Sequence, residues 1–377
     1  MLDGLLAGTK YYYKILPAGD LRYFWTFPSY ADSFMFIVFG DTRSDSFIHQ
    51  LVINRMAHYD FKLLLHSGDL VASGDNTSDW RKFFNCEETV IGYKQFLPTI
   101  GNHESPYWPF ETLFVLPNNN RYYSLNYGNT HFIILNTQED ISGDQLDWLI
   151  NDLNGVSNDT MIDWIVVNFH RPPYSSGNHG SQMDIRTTWS PIFENYNVDL
   201  VFSGHDHDYE RTVKINGVVY IVTGGGGAPL HPVDSSPWTA YSEMTYHFCH
   251  ITVADRQLIL RAINLFGIVF DSLVLNKTIG ITEADRPICP APRIWPNPFS
   301  NNVIIEWYSL NKDTKISIFD CSGRRRKVIN ISPEGPSRKI TWDGMDENQK
   351  LIEPGVYFLI FETKKHRLIK KVVRVEK

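Results

Sequence analysis

The sequence predicts an α/β domain followed by a small all-β module. Three observations lead there. Short apolar runs alternate with helix-like stretches over the first two thirds of the chain. Most of those runs end in Gly, Asp, Asn or His rather than in a hairpin turn. From about residue 294 the helix-like pattern stops, and short strand-like runs are separated by Gly-containing turns.

The elements follow in order. The opening GLLAGTKYYYKILPAGDLRYFWTFP places a turn at Ala7-Gly8-Thr9 between strands rich in Tyr and Phe. So short a segment builds no β-sandwich alone, so it reads as the end of a domain that begins upstream of Met1. MLDGLLAGTKYYYK has neither the basic start nor the apolar core of a signal peptide. After Pro28 the runs are 34–39 (FMFIVF) before Gly40-Asp41, 61–65 (FKLLL) before His66-Ser67-Gly68-Asp69, and 96–100 before Gly101-Asn102-His103-Glu104. Then come 131–135 (HFIIL) before Asn136, 164–167 (WIVV) before Asn168-Phe169-His170, and 198–202 before Gly204-His205. Residues 47–59, 143–153 and 185–196 read as helices between them. Thr223 to Gly227 (TGGGG) lacks the residue order of a nucleotide cradle and reads as a structural turn. Residues 248–275 are strand-like and close the domain. Residues 277–292, with three prolines, read as a linker. Beyond it, turns fall at Ser322-Gly323, Asp343-Gly344 and Pro354-Gly355.

Composition narrows the classes. A chain of 377 residues suits two or three domains. No apolar run approaches the roughly 20 residues of a membrane span. Cys86, Cys249, Cys289 and Cys321 are scattered, without a CxxC pair, and define neither a zinc ribbon nor a disulfide framework. The net charge of −7 is asymmetric. From Arg293 onward there are 17 Lys+Arg against 10 Asp+Glu; the rest of the chain holds 18 against 32. An acidic body with a basic tail predicts separate modules and argues against nucleic-acid binding by the body.

The stretch VFSGHDHDYER carries His205 and His207 at the end of an apolar run. In extended chain, residues two apart point the same way, so both imidazoles aim at one place. With them, Asp41, Asp69, Asn102, His103 and His170 stand at strand ends, where open α/β sheets bind their ligands. One such residue is ordinarily a cap; seven at five strand ends form a constellation. Oxygen and imidazole donors without thiolate suit Mn, Fe, Zn or Co. Two such ions about 4 Å apart serve phosphoryl displacement.

The series GD, GD, GNHE, a strand ending in His, and GHxH resembles the calcineurin-like metallophosphoesterases. GHDHDYER, GNHE, NFHRPPYSS and YYSLNYGNTHFIILN are especially similar to the purple acid phosphatase branch. The resemblance implies a four-layer α/β/β/α sandwich over 31–276, preceded at 1–30 by the end of a fibronectin type III-like domain. It implies two divalent metal ions (Mn, Fe or Zn). Asp41 and His207 would hold the first, Asn102, His170 and His205 the second, and Asp69 with a hydroxide would bridge them. His103 matches the histidine that contacts phosphate and protonates the leaving group. The implied reaction is hydrolysis of small phosphate monoesters by metal-bound hydroxide. A phosphodiesterase or nucleotide pyrophosphatase, or a non-catalytic metal- and phosphate-binding surface protein, is the alternative.

Two departures stand out. The branch carries Tyr three residues after the second Asp; here Ala72 stands there. The wider superfamily uses DxH at the first motif; here it is Asp41-Thr42-Arg43. Without the phenolate, neither a ferric preference nor purple colour is expected. Arg43 would grip a phosphate oxygen, or pair with Asp45 or another acid. His179, in SSGNHGS, would line the substrate mouth or be a solvated loop residue. His66 reads as a buried, hydrogen-bonded strand residue. The tail, with WPNPFSNNVIIEW, ISIFDCSGR and ITWDGMDENQKLIEPGVYFLIF, resembles the C-terminal sorting domains of type IX secretion cargo. That implies an Ig-like β-sandwich over 293–377, a secretion machinery as partner, and a secreted or cell-surface location.

Overall fold

A computed structural model describes residues 4–277 apart from 18, 29–30, 32 and 158, and then 293–306, 315–330, 339–362 and 367–376. The chain divides into two compact units, 1–283 and 284–377.

The first unit opens on β1 (Lys10–Lys14) and β2 (Leu21–Trp25), an antiparallel hairpin. The Ala7-Gly8 turn precedes β1 instead of separating it from β2. The hairpin packs on the body: Tyr13 Oη donates to Gly92 O at 2.9 Å, and the Tyr23 and Tyr93 rings lie 5.1 Å apart.

The body follows as β3 (Ser33–Phe39), α1 (Ser46–Met56), β4 (Leu63–His66), α2 (Thr77–Ile91) and β5 (Gln95–Pro98). Next come α3 (Trp108–Leu113), β6 (Tyr123–Tyr127), β7 (Thr130–Ile134), α4 (Asp144–Val156) and β8 (Trp164–Asn168). The remainder is α5 (Met183–Thr188), α6 (Ser190–Asn195), β9 (Leu200–Ser203), β10 (Tyr209–Thr212), β11 (Val219–Thr223), β12 (Thr239–Glu243), β13 (His247–Ala254), β14 (Gln257–Asn264) and β15 (Val269–Asn276). The helix expected over 185–196 is two short ones. Pro191 lacks an N–H and cannot continue the ladder of α5, but it is tolerated in a first turn, so a second helix starts at Ser190. Helix α2 was not among the expected elements; Asn76 caps it by accepting from Ser78 N.

Two sheets form the centre. One has six strands in the order β15-β14-β13-β3-β4-β5; the other has seven, β12-β10-β11-β9-β8-β7-β6. Strands β3, β4 and β5 run parallel, as do β7, β8, β9 and β11. The period of two in β3 builds the layers. Phe34, Phe36 and Val38 face the seven-stranded sheet and pack with Phe132, Ile134, Val166 and Phe202. Ile37 and Phe39 face the other way and pack with Val52, Ile53 and Met56 of α1 and Val90 of α2. On the far side of the second sheet, Phe169 packs against Trp189 and Phe193 beside α6. The order is helix, sheet, sheet, helix. The C-terminal ends of β3, β4, β5, β8 and β9 open on one rim.

The second unit has a three-stranded sheet, β16 (Arg293–Trp295), β17 (Val303–Glu306) and β20 (Lys339–Trp342). It also has a four-stranded one of β18 (Lys315–Asp320), β19 (Arg325–Asn330), β21 (Gly355–Glu362) and β22 (Arg367–Arg374). Val303, Ile305, Ile316, Ile318, Trp342, Leu359 and Val372 form its core. Most of the expected linker, residues 278–292, lies outside the described residues.

Candidate metal centre

The rim residues share a backbone feature. Asp41, Asp69 and His205 adopt φ of 59°, 56° and 72°. Non-glycine residues rarely enter this left-handed region, and such strain concentrates at functional sites. The neighbouring glycines allow the close approach that follows. A Cβ on Gly204 would sit 2.2 Å from Asp41 Oδ2, and one on Gly101 2.2 Å from Asp69 Oδ1. The two Gly-Asp loops are laced by backbone bonds, Asp41 N to Gly68 O at 3.0 Å and Thr42 N to Asp69 O at 3.1 Å. The TGGGG segment also packs by close approach: a Cβ on Gly226 would meet Gly40 O at 2.3 Å. His66 is buried and bonded to Thr42 Oγ1 at 3.1 Å, away from the rim.

All six expected ligand residues converge. Donor atoms of Asp41, Asp69 and His207 lie within 4.8 Å of one another. His170 Nε2 is 3.0 Å from Asn102 Oδ1 and 3.3 Å from Asp69 Oδ1. The His170 and His205 rings are 5.0 Å apart. Asp69 therefore stands in both donor groups. The histidines are oriented from behind. His170 Nδ1 donates to Ser67 O at 2.8 Å and His207 Nδ1 donates to Pro229 O at 2.7 Å, so each turns an Nε2 lone pair inward.

The electrostatics fit cations. Burial, and then the charge of Asp69, push the Asp41 carboxyl well above its usual range. Asp69 is buried as well, but His170, His103 and Arg43 hold its carboxyl below the usual range. Burial keeps His207 down at about 3, a neutral ligand-ready imidazole, and lowers His205 further still. Two adjacent buried carboxylates facing neutral imidazoles are costly without a positive charge between them. The residues present fit divalent metal ions.

Three further residues, His103, Arg43 and His179, shape the rim. His103 N donates to Asp69 Oδ1 at 3.0 Å and His103 Nδ1 donates to Ala72 O at 2.9 Å. Its Nε2 then faces the rim, 3.9 Å from Asp69 Oδ2. Arg43 Nε donates to Asp69 Oδ2 at 3.2 Å and Nη2 to His207 Nε2 at 3.2 Å. Asp45 is not its partner; Asp45 caps α1. Beside Arg43, Thr42, Val71 and Ala72 line a cleft. His179 stacks on His205, ring centroids 4.3 Å apart.

Sequence reasoning missed two positioning residues. Buried Glu104 accepts from Asp69 N (3.0 Å), Gly101 N (2.6 Å) and Val71 N (3.1 Å), and so fixes both loops that carry Asp69 and Asn102. Its place in GNHE was visible, but two of its three bonds are to backbone more than 30 residues away. Arg171 Nη1 donates to His205 Nε2 at 3.3 Å, which leaves Nδ1 as that ring's other nitrogen.

Fold and rim define a class, and comparison with known proteins bears on it. Residues 34–209 match the family model for calcineurin-like phosphoesterases. Residues 293–376 match that of the secretion system C-terminal sorting domain. Over those residues the first unit is similar to calcineurin-like phosphoesterases. The curated proteins it resembles include purple acid phosphatases. The chain is 30% identical over 269 residues to phosphoenolpyruvate phosphatase of Allium cepa, covering 63% of this chain and 54% of that protein. It is 28% identical over 284 residues to purple acid phosphatase 21 of Arabidopsis thaliana, covering 67% and 64%. The chain thus spans less than two thirds of these relatives' own length. The solved purple acid phosphatase PPD1 from yellow lupin (Lupinus luteus) shares the fold, with a TM-score of 0.65, 21% identity, and coverage of 74% of this chain and 61% of that one.

Proposed function

We propose that this protein is a metal-dependent phosphatase that hydrolyses phosphate monoesters and acts outside the cell. The observation that carries the reading is the position of Asp69, common to two donor groups, with the His103 Nε2 beside it. Two divalent ions, Mn, Fe(II) or Zn, would be held by Asp41, Asp69 and His207 and by Asn102, Asp69, His170 and His205. When bound they supply positive charge for a phosphoryl group and a water nucleophile at neutral pH.

The chain's own residues do the rest. His103, protonated at Nε2, gives its proton to the departing ester oxygen. Its Nδ1 bond to Ala72 O holds the ring for that task. Arg43 turns its planar fork from Asp69 and His207 to a phosphate oxygen. His179 lines the substrate side. Ala72 offers no phenolate, so the ions stay divalent and the protein colourless. Relatives named as phosphatases support this reading. The match of 293–376 to a sorting domain supports export through a type IX secretion machinery. The two small antiparallel sheets of that unit fit an Ig-like module, and the β1–β2 hairpin fits the end of a fibronectin type III-like domain over 1–30.

The test compares p-nitrophenyl phosphate with bis(p-nitrophenyl) phosphate. The monoester is the better substrate by kcat/KM. A preference for the bis ester refutes the monoester reading and favours a phosphodiesterase.

A further inference from the structure

Outside the six rim donors, a second group of ligand-type side chains comes together. His179, Asp206 and His231 each offer one donor atom, and these atoms lie within 4.8 Å of one another. We propose that these three residues form a third divalent-cation site, beside the expected pair and separate from it.

The residues are held where they are by more than proximity. Asp206 is buried, and its carboxylate is fixed by Ser175 Oγ at 2.5 Å and by His179 N at 2.6 Å. Each carboxylate oxygen accepts one of these bonds and keeps a further lone pair for a cation. The same backbone bond pins His179 to the residue it would share the ion with. The approach requires glycine: a Cβ on Gly177 would lie 2.7 Å from Asp206 Cγ. His231 N donates to His207 O at 3.0 Å, and the two rings stack with centroids 4.0 Å apart. His179 stacks on His205 in the same way, and the His179 and His231 rings are 5.3 Å apart.

Two groups beside this cluster have no hydrogen-bond partner among the described residues. Nδ1 of His231 is buried with no hydrogen-bond partner among the described residues. Both oxygens of Asp208, fully buried, also lack a partner among them. A Cβ on Gly177 would meet Asp208 Oδ2 at 2.4 Å, so the Asp206 and Asp208 carboxylates flank one spot. Buried polar atoms are ordinarily satisfied, and a buried carboxylate next to another is costly. A cation held by His179, Asp206 and His231 would add positive charge beside this pair of carboxylates. Two imidazoles and one carboxylate suit Zn²⁺ or another borderline divalent ion, with open positions left for water or substrate. His179, on the substrate side, would then meet an anionic ligand through the ion it holds.

Metal content alone tests the site, without turnover. The tag-free chain is stripped with a chelator and dialysed against excess Zn²⁺, and bound zinc is counted by mass spectrometry. The wild type binds three equivalents. His231→Ala and His179→Ala each bind two, with thermal unfolding confirming that they fold. His179 is exposed, so its variant carries the test if His231→Ala does not fold. A wild-type count of two overturns the proposal, as does a count of three that neither substitution lowers.

Discussion

Glu104→Gln is the substitution that most directly probes how the rim is held. The buried carboxylate accepts three backbone N–H groups, two on Oε2 and one on Oε1. Burial, and then the Asp69 charge, push this acid up to about 8; divalent ions bound at Asp69 would offset that charge and favour the carboxylate that the three N–H bonds require. Only a carboxylate accepts on both oxygens; glutamine accepts on one and donates on the other. In its better orientation the substituted amide keeps Asp69 N and Gly101 N and turns its NH₂ against Val71 N. One buried N–H is then unsatisfied, at about 1–3 kcal/mol, and the two bonds kept lose their charge assistance, for a total of about 2–5 kcal/mol. For a unit of this size that is a fall in Tm of about 5–15 °C. Asp69 and Asn102 also lose their anchor, so the variant binds divalent ions more weakly. Differential scanning calorimetry and zinc titration measure the two effects. A Tm within a degree of wild type together with unchanged metal affinity refutes the reasoning.

Three other outcomes follow from named contacts. His103→Ala slows esters with poor leaving groups about 10²–10⁴-fold and p-nitrophenyl phosphate much less; equal losses across a leaving-group series show that His103 only positions phosphate. Arg43→Ala lowers kcat/KM about 10- to 100-fold, the loss of a charge-assisted bond of roughly 1.5–3 kcal/mol, and Arg43→Lys recovers part of it. Unchanged kcat/KM with a lower Tm makes Arg43 a structural partner of Asp69. His49, buried against Glu87 at 2.8 Å, has burial working against its charge, but bonds to Cys86 and Glu87 outweigh it and raise its pKa to about 9. A raised folded-state pKa gives stability that is complete below pH 6.5 and lost as pH climbs through about 9, at most on the order of 3 kcal/mol. Urea unfolding between pH 6 and 9.5 shows the decline, Glu87→Gln flattens it, and a flat wild-type profile contradicts it.

The sequence displays what lies at strand ends and conceals what comes from elsewhere. Asp41, Asp69, Asn102, His170, His205 and His207 were legible because parallel strands aim their C-termini at one rim, and each residue closes an apolar run. The helix-sheet-sheet-helix order was legible through the family resemblance and is visible in the alternation of Phe34, Phe36 and Val38 against Ile37 and Phe39. α2 was missed although Trp80, Phe83, Cys86, Glu87 and Val90 recur at helical spacing on its buried face; Glu87 reads as a surface residue but is buried against His49. Glu104 was given no role, since two of its three bonds are to backbone groups more than 30 residues away. His231 sits in an irregular loop after Pro229, where no periodicity marks it, and Asp206 was hidden between two more conspicuous histidines. Arg171 stood inside a quoted motif, but its contact to His205 spans 34 residues of chain.

The central claim is that catalysis belongs to the ions shared by Asp69. The most direct measurement strips the protein of metal and restores Mn²⁺ stepwise, following bound metal and p-nitrophenyl phosphate hydrolysis in the same samples, with Asp69→Asn in parallel. The account predicts no activity in the stripped protein, a rate that requires at least two bound ions per chain, and no recovery in Asp69→Asn. Full activity at one bound ion or none, or undiminished activity in Asp69→Asn, contradicts it.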